Sequence, residues 1–422
     1  MTGRSSGRWL IWSLLGLALL MRLTWASLAS TQLWFDHIFT DATAMGLLEG
    51  RGFTVSLTPP YDPAIFRTPG YSFFLAGIYG VFGHSVRAAF FANAFIDTAS
   101  CYLLYRLARQ FLSPRVALFA LFVAATYPFT IYAVGSLSPE TLLVFLGLLF
   151  TTVVTEWSWT EGAKRPLGMA LWPAGIIVGV LAWIKPVFLP LPLFLFAFEL
   201  IRGRSLKSAL GRAVTVGAVA AVIFLPWVVR NFREFGRPVL AGEMGLVVWH
   251  GTLDFEPERD EMVKERFAAA PKKSLDRYEA TREVFADSRL LLRRDRVFLD
   301  RGLARIRERP VKAALWDPLR RIPRLWISTT FVTGPAVIGW GAAVACVGYL
   351  VLAFAGAWSL RGRLRDLAPL FILPALLTAV YAVFHVEARY TLPARPTLLL
   401  LAGVALAVLG GWALKRAGYL RE

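Results

Sequence analysis

The chain has 422 residues, of which 56% are hydrophobic, 14% aromatic and only 18% charged. A soluble chain of this length could not hide that much apolar surface in its core, which excludes an ordinary globular protein. Lys and Arg number 46 against 28 Asp and Glu, a net charge of +18, and in so apolar a chain the excess marks cytoplasmic loops and lipid headgroups, with no nucleic-acid partner implied.

A helix that crosses a bilayer needs about 20 largely apolar residues. Such runs lie near 9–28, 88–106, 116–135, 139–157, 168–184, 186–201, 213–229, 337–359, 367–385 and 392–413. The first follows Arg4 and Arg8 like a signal peptide, but it is long and lacks a small-residue cleavage site, so it is expected to remain as a helix. The stretch Gly70–Phe82 is too short to cross comfortably. If it crossed, Arg106, Arg109 and Arg115 would face outward, against the positive-inside rule. Laid in the interface instead, it puts those arginines inside together with Lys164, Arg165, Arg202, Arg204, Lys207, Arg212, Arg361, Arg363, Arg365, Lys415 and Arg416. The expectation is an all-α polytopic membrane protein of about ten spans with both termini in the cytoplasm.

Three regions follow: an N-terminal transmembrane module, 1–229, with its first outer loop at 29–87; an extracytoplasmic loop region, 230–336; and C-terminal transmembrane helices, 337–422. The loop region is expected to be mixed. Asn231–Ala270 reads as irregular or short-stranded, whereas Leu291, Val297, Leu299, Leu303 and Ile306 recur at helical spacing up to Pro310.

Ionisable groups in a membrane domain are costly, so their placement is informative. Asp36, Asp41, Arg67, Glu140, Lys185, Arg230, His385, Glu387 and Arg389 all fall at outer ends of expected helices. Asp97, inside the second span, is the only clear mid-depth carboxylate and reads as a locally paired group. The four histidines, His37, His84, His250 and His385, show no ligand-spaced pair. Cys101 and Cys346 lie in apolar runs, which excludes a disulfide framework or a zinc knuckle. No metal and no cofactor is expected.

The first outer loop carries the most distinctive pattern. It reads Asp36-His-Ile-Phe-Thr-Asp41, then Leu47-Leu48-Glu49-Gly50-Arg51-Gly52-Phe53, Pro59-Pro60-Tyr61 and Arg67-Thr68-Pro69-Gly70-Tyr71. Further on come Tyr127-Pro128, Ser138-Pro139-Glu140-Thr141, Ile184-Lys185-Pro186, Pro226-Trp227 with Arg230-Asn231, Glu308-Arg309-Pro310 and Glu387-Ala388-Arg389-Tyr390. In order and spacing the set resembles the GT-C membrane glycosyltransferases related to protein O-mannosyltransferases and the lipid A aminoarabinose transferase.

That resemblance implies a GT-C-like bundle with interfacial helices in the first outer loop. It also implies an inverting transfer of a monosaccharide from a polyprenyl-phosphate-linked sugar to a hydroxyl of a lipid, glycan or protein acceptor, in the bacterial inner membrane and facing the periplasm. A loop Asp would serve as general base, and cations would hold the leaving lipid phosphate. Carried over residue by residue, Asp36 is the base, with Asp41 the second candidate because Thr40 stands where the family has Tyr. Arg67 meets the donor phosphate, with Lys185, Arg230 and Arg389 as further cations. Tyr61, Tyr71, Glu140 and Glu387 line the sugar and acceptor site. The competing reading is a transporter or flippase of lipid-linked saccharides, which would run polar residues through the bundle on both sides. A non-catalytic envelope subunit would depend on no acidic loop residue. An O-antigen-ligase-like enzyme would carry hallmark arginines on a large outer loop, and those find no match in this chain.

Overall fold

The computed structural model describes residues 3–159, 167–256, 274–327, 336–363 and 365–416, which are almost wholly helical. The first half holds α1 (Gly3–Leu28), α2 (Phe35–Leu48), α3 (Gly70–Phe82), α4 (Val86–Phe111), α5 (Pro114–Thr126), α6 (Pro128–Val134), α7 (Glu140–Trp159) and α8 (Leu167–Ile184). Then follow α9 (Leu191–Ile201), α10 (Leu206–Phe235), α11 (Met244–Leu253), α12 (Ser274–Ala286), α13 (Ser288–Glu308) and α14 (Asp317–Ile327). The chain closes with α15 (Ala336–Ser359), α16 (Ile372–Val383), the 3₁₀ turn Ala388–Ala394 and α17 (Arg395–Arg416). Lys164, Arg165 and the middle of the long loop region lie outside the described residues.

Each of the ten apolar runs becomes helix. By length and composition four are fit to cross a membrane unaided, Arg8–Leu28, Leu206–Phe235, Gly341–Ser359 and Arg389–Gly411, or six if two bent pairs each count as one span. Leu171–Ile184, Pro186–Ile201 and Ala368–Val383 are shorter apolar helices. Trp12, Leu20, Phe95, Leu193, Val222, Phe354 and Trp358 stand exposed on the bundle, a greasy surface that lipid tolerates and water does not. Local signals set the ends. Ser85, Ser113 and Ser205 cap α4, α5 and α10 by accepting from Ala88, Val116 and Ser208 amides. Gly70–Phe82 folds as a helix that meets α4 at 111°, the geometry expected of a segment lying across the spans. The helices alternate in direction, so Glu140, Lys185 and Arg230 share one end of the bundle. Arg106, next to Glu156, and Arg365, bonded to the Ile201 carbonyl, share the opposite end.

Where it is described, up to Glu256, the stretch of the long loop read as irregular or short-stranded holds turns at 236–243 but helix in place of strand. Among its described residues it is helix and turn, and an isolated bridge between Thr54 and Pro63, in the first loop, is the sole strand-like pairing among the described residues. The cause is tertiary. The Trp227 indole donates to the Leu240 carbonyl and the Asn231 amide to the Val239 carbonyl, folding the loop's start back on α10. Beyond it the β-prone Leu-Val-Val-Trp run is held as α11 against α13. A Cβ on Gly245 would collide with the Asp295 carbonyl, so only glycine permits that crossing. The Ser288–Arg309 helix forms as read, capped by Asp287 at 2.8 Å from the Leu290 amide.

The deepest polar group is a completed ion pair. Arg22 is wholly buried, and its Nε lies 2.6 Å from Asp97 Oδ2. Its remaining donors reach the Ala18, Ala124 and Ala125 carbonyls, Thr130 Oγ1 and Cys101 Sγ. One guanidinium thus ties α1, α4 and the α5–α6 junction. Removing one partner of such a pair costs about 3–5 kcal/mol because a charge is left stranded, whereas replacing both with apolar groups costs far less. Asp97→Asn should therefore lower the unfolding temperature in detergent sharply, and Arg22→Met with Asp97→Leu should recover most of the loss. An Asp97→Asn protein as stable as wild type would contradict the assignment.

Candidate active site

Six chain segments meet at the Glu140 end of the bundle. The Thr68 hydroxyl donates to the Ile184 carbonyl at 2.9 Å. A Cβ on Gly70 would come within 2.7 Å of the Trp183 backbone, so the start of α3 is pressed on the end of α8 and Arg67 lies beside Lys185. The Gly242 amide donates to the Ile65 carbonyl at 2.8 Å, which delivers Glu243 to the same place. Asp36 stands in the first turn of α2, where the helix dipole favours a carboxylate. Arg389 and Tyr390 come from the 3₁₀ turn before α17.

These segments border a solvent-open cleft lined among others by Asp36, His37, Arg67, Tyr71, Glu140, Lys185, Arg389 and Tyr390. Arg67 sits between two carboxylates. Its Nη2 is 2.9 Å from Asp36 Oδ2, and its Nη1 is paired with Glu243 Oε1. Arg389 Nε holds Glu387 Oε2 at 2.6 Å, and its Nη2 lies 3.5 Å from Asp36 Oδ2. Lys185 Nζ meets Glu140 Oε1 at 3.1 Å and stands over the Tyr390 ring, 4.6 Å from its centroid. Behind Glu387, His385 Nδ1 is 2.8 Å from Asp254 Oδ1, and Asp254 is also held by Arg321.

The electrostatics sort the carboxylates. Burial alone would raise Asp36, but Arg67 and Arg389 outweigh it and hold the carboxyl below its usual range, so it is ionised at neutral pH. Glu387 is depressed in the same way, by Arg389 against its burial. Glu243 goes the opposite way. Its burial dominates, with the Asp36 charge adding to it, and lifts it to about 7 despite Arg67. Burial lowers His37, which leaves that imidazole neutral.

Of the residues singled out in the sequence, Asp36, Arg67, Tyr71, Glu140, Lys185 and Arg389 line this one cleft, and Glu387 adjoins it through Arg389. Three lie elsewhere. Asp41 is fully buried and accepts from Tyr79 Oη at 2.7 Å and Tyr278 Oη at 2.8 Å, with His84 Nε2 at 2.9 Å, so it joins α2, α3 and α12. Arg230 packs over the Phe53, Trp227 and Phe235 rings and donates to the Ala64 carbonyl. Tyr61 is exposed on the first loop. Glu243, Asp254 and Arg321 carry no sequence signal. They sit in the long loop region without a motif, and only the fold brings Glu243 within reach of Arg67.

Known proteins share this arrangement of helices. Residues 66–229 match the dolichyl-phosphate-mannose-protein mannosyltransferase family. Over 98% of its length the chain superposes on the archaeal oligosaccharyltransferase AglB of Archaeoglobus fulgidus, in complex with an inhibitory peptide and a dolichol-phosphate. The TM-score is 0.55, the identity 15%, and 52% of that chain is covered. The apo form of the oligosaccharyltransferase gives 0.54 at 16% identity, with 98% of this chain and 52% of that one covered. ArnT of Cupriavidus metallidurans bound to undecaprenyl phosphate gives 0.45 at 17% identity, covering 97% of this chain and 80% of that one. The chain spans about half the length of the oligosaccharyltransferases it matches. No curated protein matches it by sequence. The fold is that of the GT-C membrane glycosyltransferases, as the motif order implied.

The environment of Asp41 makes a prediction. Truncating a buried acceptor strands its donors at about 1–3 kcal/mol each. Asp41→Ala should therefore cost at least about 2–3 kcal/mol in a denaturation series in detergent. A loss below about 1 kcal/mol would rule out the structural role.

Proposed function

We propose that the protein is an integral membrane glycosyltransferase that passes a monosaccharide from a polyprenyl-phosphate-linked donor to a hydroxyl of a lipid, glycan or protein acceptor. The observation that carries this reading is the cleft itself, where Arg67 and Arg389 converge on the ionised, solvent-accessible Asp36 and Lys185 lines the same cleft on Glu140. The mannosyltransferase match over residues 66–229 and the GT-C fold support it. AglB, which shares that fold, was solved with a dolichol-phosphate.

The chemistry assigned to these residues is a single displacement. The acceptor hydroxyl gives its proton to Asp36 while its oxygen bonds to the anomeric carbon. The bond from that carbon to the phosphate oxygen breaks, and the lipid phosphate leaves with the electron pair, which inverts the anomeric centre. Arg67 and Arg389 hold phosphate oxygens through planar guanidinium forks, and Lys185 adds a point charge. Cations held in place by the fold at a partly buried cleft stabilise that leaving charge better than mobile ions in water would. As Arg67 and Arg389 share their charge with the phosphate, whose own charge stands nearby, the Asp36 carboxylate becomes more basic, which suits a general base. Asp36 takes this role in preference to Asp41, whose oxygens are already engaged by two tyrosines and His84. Tyr71, Glu140 and Glu387 are assigned to sugar and acceptor contacts.

The arginines at the end of the bundle remote from the cleft, including Arg106 and Arg365, support a cytoplasmic location for that end. The cleft would then face the exterior of a bacterial inner membrane, with 1–229, 230–336 and 337–422 as catalytic module, outer loop and closing helices. The deep Arg22–Asp97 pair is neutral and saturated, which leaves it unsuited to the charge relay that a transporter needs.

The test is transfer of label from a panel of radiolabelled polyprenyl-phosphate sugars into membranes. Loss of the base should lower kcat by about 10²–10⁴-fold in Asp36→Asn, with KM little changed. Asp41→Asn, normalised to folded protein, should retain transfer. Arg67→Ala should raise KM for the donor. Wild-type protein that moves lipid-linked sugar between leaflets yet transfers no label would overturn the proposal in favour of transport.

A further inference from the structure

Both terminal nitrogens of Arg67 are already engaged, one by Asp36 and the second by Glu243. Around the cleft, Arg67, Lys185 and Arg389 face four carboxylates, Asp36, Glu140, Glu243 and Glu387. Counted over these seven side chains with every carboxylate ionised, the balance is one net negative charge, offset only when His385, 3.6 Å from Glu387, is protonated, so the set is a poor receptor for a phosphate. An anion enters a low-dielectric site only if an opposing charge is added or a like charge is removed.

Glu243 is the group placed to give way. Asp36 stays engaged with Arg389 as well as Arg67, Glu140 has Lys185, and Glu387 has Arg389 at 2.6 Å. Arg67 is the one ion-pair partner of Glu243 among the described residues. The backbone bond from Gly242 to Ile65, two residues from Arg67, holds Glu243 at its post.

We propose that Glu243 is a placeholder for the donor phosphate on Arg67, and that donor binding is coupled to uptake of one proton by Glu243. This rests on the reading of Arg67 as a phosphate ligand. The carboxyl is set for the task, since its burial and the nearby Asp36 lift it to about 7 while Arg67, Lys185 and Arg389 pull it down. When the phosphate takes Arg67, Glu243 loses its cation and gains an anion as neighbour, so its proton affinity rises further. The sign follows from linkage. The bound state holds one more proton than the free state above about pH 7, so affinity falls as pH rises through that point, by up to about tenfold per pH unit. Below that point Glu243 is protonated in both states and affinity is flat.

Farnesyl methyl phosphate is a suitable probe, because a phosphodiester keeps one negative charge across the range and carries no sugar to choose. Its Kd for the detergent-solubilised full chain, measured from about pH 6 to about pH 8.5 by calorimetry, should be constant near pH 6 and weaken above about pH 7. Calorimetry in two buffers of different ionisation enthalpy should show close to one proton taken up near pH 8 and almost none near pH 6, a readout that needs no variant. Glu243→Gln should bind about tenfold tighter than wild type near pH 8, match it near pH 6, and take up no proton. Binding that is independent of pH, without proton uptake, would overturn the placeholder and leave the enzyme reading standing. No binding at any pH would overturn the phosphate role of Arg67 and the placeholder with it.

Discussion

Arg67 is the point on which the site turns, because it is shared by carboxylates from two distant parts of the chain. Asp36 arrives on the first turn of α2 and Glu243 on the connection from α10 to α11. Charges taken from water recover their solvation only when the geometry is held for them. Here the backbone does the holding, through Thr68 on Ile184 and Gly242 on Ile65. The same contacts that neutralise Arg67 also set the protonation of its neighbours, keeping Asp36 ionised and leaving Glu243 close to its titration point at neutral pH.

The scaffold repeats this device with further arginines. Arg395 donates to Thr391, to Tyr127 Oη and to the Trp326 carbonyl, which braces the 3₁₀ turn that presents Arg389. Arg321 binds Asp254 and the Ala382 and Val383 carbonyls, which ties α14, α16 and the end of α11 together behind His385 and Glu387. Arg22 does the same at depth for α1, α4 and α5. In each case the planar fork directs up to five donors to fixed acceptors, where a lysine ammonium has three. A rigid frame of this kind lets a few side chains in the cleft exchange partners without disturbing the bundle.

Much of the architecture was legible in the sequence because bilayer and backbone impose periodicity and length. All ten apolar runs became helices, Gly70–Phe82 folded as a separate helix, and the helix from Ser288 stopped at Glu308, ahead of Pro310. The first-loop motif also led to the cleft, through Asp36, Arg67 and Tyr71. What escaped was set by tertiary contact. The β-prone Leu246–Trp249 stretch became helix because Gly245 lets α11 lie against α13. Asp41 shares α2 with Asp36 yet is buried among Tyr79, His84 and Tyr278, and the last of these comes from the far loop. Glu243 and Arg22 carried no local signal, since each owes its partner to a residue far away in the chain, Arg67 in one case and Asp97 in the second.

The proposed function requires one cleft to bind a lipid phosphate on Arg67, Lys185 and Arg389 with Asp36 beside the sugar. A cryo-EM map of the protein with a non-hydrolysable polyprenyl phosphonate sugar tests it most directly. The phosphonate is expected among those three cations, with the anomeric carbon next to Asp36 and Glu243 released from Arg67. Density for the phosphonate at Arg230 or among the arginines at the opposite end of the bundle, with Arg67 still clamped between Asp36 and Glu243, would contradict it.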